Sequence, residues 1–338
     1  MKTTLQEFYP DIWQEIFEYF NPIELYHSFA HVTMSADEVL FNKKQNLRLR
    51  RLVLNSCVNN LSIEILYNRI ISLELHEESY LHSIDEFTEI RELKLVGQSE
   101  WIIHLVRKVA CINKNLERLI LVIPGIGPLY DLLECVSHFL SLRSLEIYAN
   151  EMEEKIRRRT LCVKQATIEY VKLHSCSCIS WVDLPYMLPV LCNIHSLDIT
   201  LFDDYRNAFS SFTFDKVRYI RLTLIEVPFH WIVELMKAMP FLVKLKLRGF
   251  VDTVGFVVNQ KWLSLFELCR NLEAIIVNLS LEVDDNSFYF DKIQTTLRKL
   301  NLRLKCTDDD YDYYLGEIQQ SRWWNLSGTI RYHGDDHI

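Results

Sequence analysis

One short phrase of apolar residues recurs through most of the chain. It consists of an apolar residue, two others, a second apolar residue, one other and a third apolar residue. The eleven copies begin at Leu49, Ile70, Ile90, Leu116, Leu142, Ile168, Ile194, Val217, Leu242, Leu272 and Leu297. The central residues Leu93, Leu119, Leu145, Val171 and Leu197 follow one another at steps of 26 residues, and the mean step over all copies is about 25. A period of this length predicts a stack of similar structural units, each too small to bury its own apolar face.

Apolar residues at helical spacing fill several of the intervals between these phrases. Leu129, Leu132, Leu133, Val136 and Leu140 would form one stripe of an amphipathic helix. Similar stripes lie at 231–239 and 262–269. We therefore predict an α/β fold with a repeating unit of strand, turn, helix and turn, in which the strands align into a parallel sheet.

The phrase and its period resemble the leucine-rich repeat family over about residues 47–305. The family also places Asn or Cys three positions after the last apolar residue, where Cys57, Asn150 and Cys176 stand in three copies. The resemblance implies a horseshoe solenoid over residues 46–305, with a parallel sheet on its concave side and helices on its convex side. Residues 306–338 would then form a C-terminal cap and tail. An open arc of this kind suits binding to another protein.

The first 45 residues follow a different pattern, with three helix starts in a short space. Pro10 suits the first turn of a helix, and Asn21 can cap a second helix with Glu24 at the capping-box position. A third start is predicted at Ser35, with Glu38 three residues on. Such short helices need another surface to cover their apolar faces.

This segment resembles an F-box. The residues that match the family pattern are Pro10, Asp11, Ile12, Ile16, Phe17, Tyr19, Phe20, Glu24 and Leu25. The pattern departs from the family at Tyr9, where Leu is usual, and the interval from Pro10 to Ile16 is one residue shorter. The resemblance implies a small all-α module over residues 1–45 that binds a Skp-type adaptor of a cullin-RING ubiquitin ligase. The implied adaptor-binding residues are Pro10, Ile12, Ile16, Phe17, Phe20 and Leu25.

Residues between the apolar positions of each phrase should point away from the core. In copies eight, nine and eleven these residues are basic, and they include Arg221, Lys244, Lys246, Arg248 and Arg303. As a hypothesis, they bind an acidic or phosphorylated segment of a target protein. The alternative is an ordinary solvated strand face.

Composition and motifs exclude several other classes of function. The 37 Lys and Arg residues against 45 Asp and Glu residues give a net charge of −8, so nucleic-acid binding is not expected. With only 8 glycines there is little scope for glycine-rich phosphate loops, and no apolar run is long enough for a membrane span. Nine cysteines without CxxC spacing favour reduced thiols and a cytoplasmic or nuclear location.

Catalytic and metal-binding motifs give no further candidates. The cluster His174-Ser-Cys176-Ser-Cys178 is metal-like, but strand alternation should direct its side chains apart. We expect no metal, no cofactor and no catalytic residues. The leading hypothesis is therefore a non-enzymatic substrate-recognition adaptor of an SCF-type ligase, with an unidentified target protein. The alternative is a leucine-rich-repeat scaffold whose degenerate F-box acts only as an N-terminal cap, and an enzyme is the third option.

Overall fold

The computed structural model describes thirteen parts of the chain. They are residues 8–42, 47–55, 67–76, 78, 84–125, 127–150, 167–175, 179–180, 183–202, 213–284, 295, 297–306 and 321–331. These residues form a mixed α/β structure with helices and one large, mostly parallel sheet.

Thirteen strands make up the sheet within the described residues. The first seven are β1 (Leu52–Leu54), β2 (Ser72–Leu75), β3 (Glu92–Val96), β4 (Arg118–Ile123), β5 (Ser144–Ala149), β6 (Tyr170–Ser175) and β7 (Ile179–Ser180). The others are β8 (Ser196–Phe202), β9 (Tyr219–Ile225), β10 (Lys244–Asp252), β11 (Ala274–Asp284), β12 (Leu302–Cys306) and β13 (Ser321–Arg331). The strand order is β1-β2-β3-β4-β5-β6-β8-β9-β10-β11-β13-β12, and the short β7 pairs with β8.

Each of the first ten apolar phrases contributes a strand, and corresponding phrase positions pair with one another. Leu93 pairs with Leu119, Leu119 with Leu145, and Leu145 with Val171. All pairings from β1 to β11 are parallel. The predicted parallel sheet is confirmed over these strands, because the second and third apolar residues of each phrase are buried on the same side.

The eleventh phrase does not occupy the position expected from the repeat. Strand β13 pairs antiparallel with β11 from Ala274 to Asp284, and β12 pairs antiparallel with β13. The predicted parallel alignment of the repeats therefore ends at β11. Gly328 helps this insertion, because its φ is +154° and a Cβ there would lie 2.3 Å from the backbone oxygen of Asn301.

The helices between the strands are α4 (Ser99–Ile112), α5 (Leu129–Val136), α6 (Leu184–Leu191), α7 (Phe229–Lys237), α8 (Thr253–Phe256) and α9 (Asn259–Leu268). The stripe predicted at Leu129–Val136 is buried as expected, but the helix ends at Val136 and Leu140 is 71% exposed. Asn150 is also exposed rather than turned inward. Cys57 and Cys176 lie outside the described residues.

Three short helices precede the sheet: α1 (Pro10–Phe17), α2 (Pro22–Phe29) and α3 (Met34–Phe41). The predicted cap of α2 is confirmed, because the Asn21 side chain accepts a hydrogen bond from the Glu24 backbone N–H. The predicted start at Ser35 is wrong by one position: α3 begins at Met34 and is capped by Thr33. The Ser35 hydroxyl instead accepts a hydrogen bond of 3.1 Å from the indole N–H of Trp13.

A buried arginine joins these helices to the sheet. The Arg69 guanidinium donates hydrogen bonds to the backbone oxygens of Val39 at 3.1 Å and Leu40 at 3.2 Å, and also to that of Asn42. A cation at the C-terminal end of α3 satisfies carbonyls that have no partner within the helix. Trp13, Phe17 and the strand leucines also belong to one continuous hydrophobic core.

Candidate functional site

The side of the sheet opposite the buried leucines carries polar and charged side chains, which we call the polar face. Because the parallel strands are in register, equivalent outward residues form rows across the strands. One row runs through Lys172, Asp198, Arg221 and Lys246 on β6, β8, β9 and β10. A neighbouring row in the same strands runs through Tyr170, Ser196, Tyr219 and Lys244. The phrase thus fixes which side chains are neighbours on this face.

Charges on the first half of the polar face are paired. Lys94 lies 2.9 Å from the Glu74 carboxylate. Arg118 bridges two strands, at 3.2 Å from Glu92 and 2.6 Å from Glu146. This part of the surface therefore has little charge left for a partner.

Glu146 is the most buried member of that set, with a side chain only 8% exposed. Burial raises the pKa of Glu146, but hydrogen bonds from Tyr148 and Arg118 and the charges of Arg118 and Lys172 more than offset it. The net pKa is below the usual value. Glu146 is accordingly a structural carboxylate rather than a proton donor.

A second buried carboxylate lies further along the face. The side chain of Asp198 is 4% exposed and lies 3.1 Å from both His174 Nε2 and Arg221 Nη1. Burial raises the pKa of Asp198, but the hydrogen bond from His174 and the charges of His174, Arg221 and Arg248 outweigh it, so the net pKa is lowered. Asp198 is therefore ionised and compensated by its neighbours.

The predicted basic residues differ in whether neighbouring side chains already engage their charge. Arg221 is engaged by Asp198. Arg248 donates to the Thr223 hydroxyl at 2.7 Å and approaches His174 Nε2 at 3.3 Å. For Lys244 and Lys246, no carboxylate of a described residue lies within ion-pair distance.

Lys244 and Lys246 each have an uncharged register neighbour on β11. Their neighbours on β11 are Ala274 and Ile276. Arg303 lies on the same face, but β11 and β13 separate its strand from β10. The structure thus brings four of the five predicted target-binding residues together and leaves Arg303 three strands away, because β13 is inserted.

A depression of about 290 Å³ opens on the polar face at these strands. Its lining includes Tyr170, Ser196, Asp198, Tyr219, Arg221, Lys244, Lys246 and Ile276. Sequence reasoning named the basic residues and missed the tyrosines and Asp198. Aligning the phrases in columns would have identified them, since each stands at an outward position of its own copy.

Two larger depressions, of about 500 and 460 Å³, lie at the edge of the sheet where the strands begin. In the first, Arg143 stands beside Glu169 at 3.8 Å, and Glu117 pairs with Arg91 at 3.4 Å. The second contains Arg218, whose guanidinium lies 5.1 Å from the centre of the Phe241 ring. Neither of these two depressions brings unpaired charges together with the rows of side chains on the polar face.

A second candidate surface lies on α1. Trp13 and Phe17 are fully buried, with ring centroids 5.3 Å apart. Ile12 on the helix is 42% exposed, and Tyr9 and Tyr19 on its flanks are 75% and 89% exposed. Helix α1 and its flanks therefore carry three large apolar residues that the described part of the chain leaves uncovered, which we call the exposed stripe of α1.

The six predicted adaptor-binding residues differ in how far they are exposed. Ile12 is exposed, and Pro10, Ile16 and Phe20 are half-buried. Phe17 and Leu25 are fully buried. The latter two therefore present no surface to a partner in this arrangement, and they hold the three helices together.

The remaining observations concern similarity to known proteins, metal binding and membrane crossing. No protein-family model matches the chain, and no curated protein matches its sequence. Among the described residues, no group of three His, Cys, Asp or Glu side chains could hold a metal ion. None of the helices that the structure describes has the length and apolar character needed to cross a membrane.

Proposed function

We propose that the protein is a substrate-recognition adaptor of a cullin-RING ubiquitin ligase of the SCF type, in the F-box and leucine-rich-repeat family. Helices α1–α3 are an F-box-like module that binds a Skp-type adaptor and, through it, the cullin. The repeats form a horseshoe solenoid whose polar face binds a target protein. The protein has no catalytic step of its own, and it acts by holding the target close to the ligase.

The observation that carries the proposal is the uncovered apolar stripe on α1. Exposed apolar residues grouped on one helix face are typical of a protein-binding site. Tyr9 and Tyr19 are large amphipathic side chains, which are enriched at interfaces. This stripe lies in the segment that resembles an F-box.

The polar face supports the second half of the proposal. Its charges are paired over β2–β5, whereas Lys244 and Lys246 on β10 remain available. Unpaired lysines beside a shallow depression favour a negatively charged segment of a protein over a small neutral ligand.

A specific observation favours the alternative, a scaffold in which the helices serve only as a cap. Phe17 and Leu25 are buried, and Arg69 binds the carbonyls at the end of α3. These contacts are what a cap on the first strands requires. The two functions differ in one respect: only the first requires the exposed side of α1.

The test is co-purification of the full chain with the Skp-type adaptor and the cullin. We expect Ile12→Asp and Tyr19→Asp to abolish recovery of both, because each places a charge in the exposed stripe. Leu140→Asp is the matched control, since it changes an exposed apolar residue away from α1. Retention of the adaptor by both stripe variants, or its absence from the unaltered chain, would reject the ligase function and leave the scaffold.

Target binding is tested in the same experiment. The double variant Lys244→Glu and Lys246→Glu should lose proteins outside the ligase while keeping the adaptor. Lys237→Glu, on helix α7, is the control for a charge reversal away from the polar face. Unchanged recovery of the other proteins would remove the polar face from the proposal.

The proposal locates the protein in the cytoplasm or nucleus. Among the described residues, the thiols of Cys111, Cys135 and Cys269 form no disulfide, which supports a reducing compartment. Immunofluorescence or fractionation of cells expressing the full chain would test this location.

A further inference from the structure

The depression on the polar face combines two tyrosines with two lysines that are not paired with a carboxylate of any described residue. We propose that it binds a phosphorylated tyrosine side chain of the target protein. This inference rests on the part of the proposed function in which the polar face binds a protein, and it names the chemical group that is recognised.

The spacing of two tyrosines creates room for a third ring. Tyr170 and Tyr219 are both register neighbours of Ser196, one on either side. They stand two strands apart, which is about 9.6 Å for neighbouring strands about 4.8 Å apart. A ring placed over Ser196 would be about 4.8 Å from each, within the 4.5–7 Å range of favourable aromatic pairs. Because serine is small, the β8 side chain in this row occupies little of the space between the tyrosines.

The two lysines line the same depression, on the strand beyond Tyr219. Lys244 continues the row of Tyr170, Ser196 and Tyr219, and Lys246 is two residues further along β10. A phosphate monoester carries a charge of about −1.5 to −2 at neutral pH. Two lysine ammonium groups match that charge, whereas a carboxylate would satisfy only one of them.

Asp198 also lines the depression, and its charge has to be considered. Its side chain is almost fully buried, and it is paired with Arg221 and His174. The carboxylate is thus compensated before any ligand enters. It holds Arg221 in position at the edge of the depression, so that the net charge facing a ligand is positive.

The size of the depression fits one side chain. A cavity of about 150 Å³ is enough for a benzene ring. The depression of about 290 Å³ therefore has room for a ring and a phosphate group but not for a large cofactor. Phosphoserine or an acidic residue would leave the tyrosine-bordered part empty.

A nucleotide is the competing ligand, since it also has an aromatic ring and a phosphate. The net charge of −8 disfavours long-range attraction of nucleic acids. We therefore favour a protein target and treat a nucleotide as an outcome of the test.

The experiment measures binding of phenyl phosphate to the full chain by ligand-observed NMR, beside inorganic phosphate, benzoate and AMP. We expect phenyl phosphate to bind about tenfold more tightly than inorganic phosphate or benzoate, because only it uses both the rings and the cations. Equal affinity for phenyl phosphate and inorganic phosphate would overturn the proposal. So would tighter binding of AMP, which would identify a nucleotide site.

Three variants locate the binding. Tyr219→Ala should weaken the binding of phenyl phosphate about tenfold and leave the binding of inorganic phosphate unchanged. Lys246→Gln should weaken the binding of both ligands. Lys94→Gln is the matched control, since Lys94 has the same place in its own phrase but is paired with Glu74. Equal losses in Lys94→Gln and Lys246→Gln would contradict the assignment.

Failure of this inference can be told apart from failure of the proposed function. Tyr219 and Lys246 lie far along the strand order from the helices that bind the adaptor. If the full chain co-purifies with the ligase and does not bind phenyl phosphate, only the tyrosine-phosphate site is rejected. If phenyl phosphate binds and the ligase is absent, the site remains and the ligase function is rejected.

Discussion

Replacement of Arg69 by methionine tests how the N-terminal helices are held to the sheet. The guanidinium donates hydrogen bonds to the carbonyls of Val39 and Leu40, two fully buried residues, and to the less buried Asn42. Methionine keeps the apolar stem but has no donor. The Val39 carbonyl then loses its side-chain partner, at a cost of about 1–3 kcal/mol, whereas the Leu40 carbonyl loses one hydrogen bond and keeps another from the Tyr26 hydroxyl.

The expected loss of stability in Arg69→Met is smaller than the sum of the costs of the lost hydrogen bonds. Burial of the guanidinium is itself unfavourable, and it lowers the pKa of Arg69. Removing the charge relieves that cost, and water can reach the Asn42 carbonyl. We therefore expect Arg69→Met to reduce the free energy of unfolding by about 3 kcal/mol.

Urea unfolding gives the size of the effect, and hydrogen exchange with mass spectrometry gives its location. Backbone amides of residues 34–42 should exchange faster in Arg69→Met than in the unaltered chain. Arg69→Lys should have an intermediate effect, because an ammonium group cannot reach all three carbonyls at once. Arg91→Met is the control, since Arg91 is a half-exposed arginine in a surface pair with Glu117. Equal stability of the two methionine variants would refute the reasoning.

The remaining predictions concern a glycine, a buried carboxylate and two thiols. Gly249→Ala should destabilise the protein by about 2 kcal/mol or more in urea unfolding, because φ there is +115° and a Cβ would lie 2.2 Å from the Leu224 oxygen. Asp198→Asn should cost about 2 kcal/mol at pH 7. Because folding lowers the pKa of Asp198, this difference is present above the unfolded pKa of about 3.9 and disappears as the pH falls through the lower folded value. Burial raises the pKa of Cys269 to about 11, so peptide-resolved alkylation at pH 8 should modify the exposed Cys111 much faster.

Each of these predictions has an outcome that would contradict it. Ser280→Ala, at an exposed position of β11, is the control for Gly249→Ala, and equal effects would show that the close approach at Gly249 carries no cost. Glu92→Gln is the control for Asp198→Asn. A stability difference for Asp198→Asn that persists in acid would contradict the lowered pKa. Equal alkylation rates for Cys111 and Cys269 would contradict the burial of Cys269.

The sheet could be predicted because its cause is local and repeated. Each of the first ten phrases places apolar residues on one side of a strand, and the shared pattern of the phrases puts the same positions opposite each other. Strand register then follows from burying the leucines together. The ends of the helices were harder to predict from the sequence. At Leu140 the helical apolar spacing continues, although the helix has already ended at Val136.

Two features could not be predicted because they depend on residues distant in sequence. Strand β13 carries no copy of the phrase, and its insertion beside β11 is an antiparallel pairing that the repeat does not specify. At α3, Thr33 and Ser35 are both good capping residues. The choice between them follows from Trp13, whose indole N–H binds the Ser35 hydroxyl.

The candidate site was predictable in part. Outward positions follow from strand alternation, so Lys244 and Lys246 could be placed on the polar face. The state of their charges could not be predicted, because it depends on which neighbouring rows contain carboxylates. Asp198 engages Arg221, whereas Ala274 and Ile276 leave the two lysines unpaired.

Hydrogen exchange of the full chain with and without a purified Skp-type adaptor tests the central claim most directly. The account predicts that the adaptor protects amides in residues 8–20, around the exposed stripe of α1, and leaves residues 219–248 unchanged. No protection in α1 at saturating adaptor, or protection confined to the polar face, would contradict it.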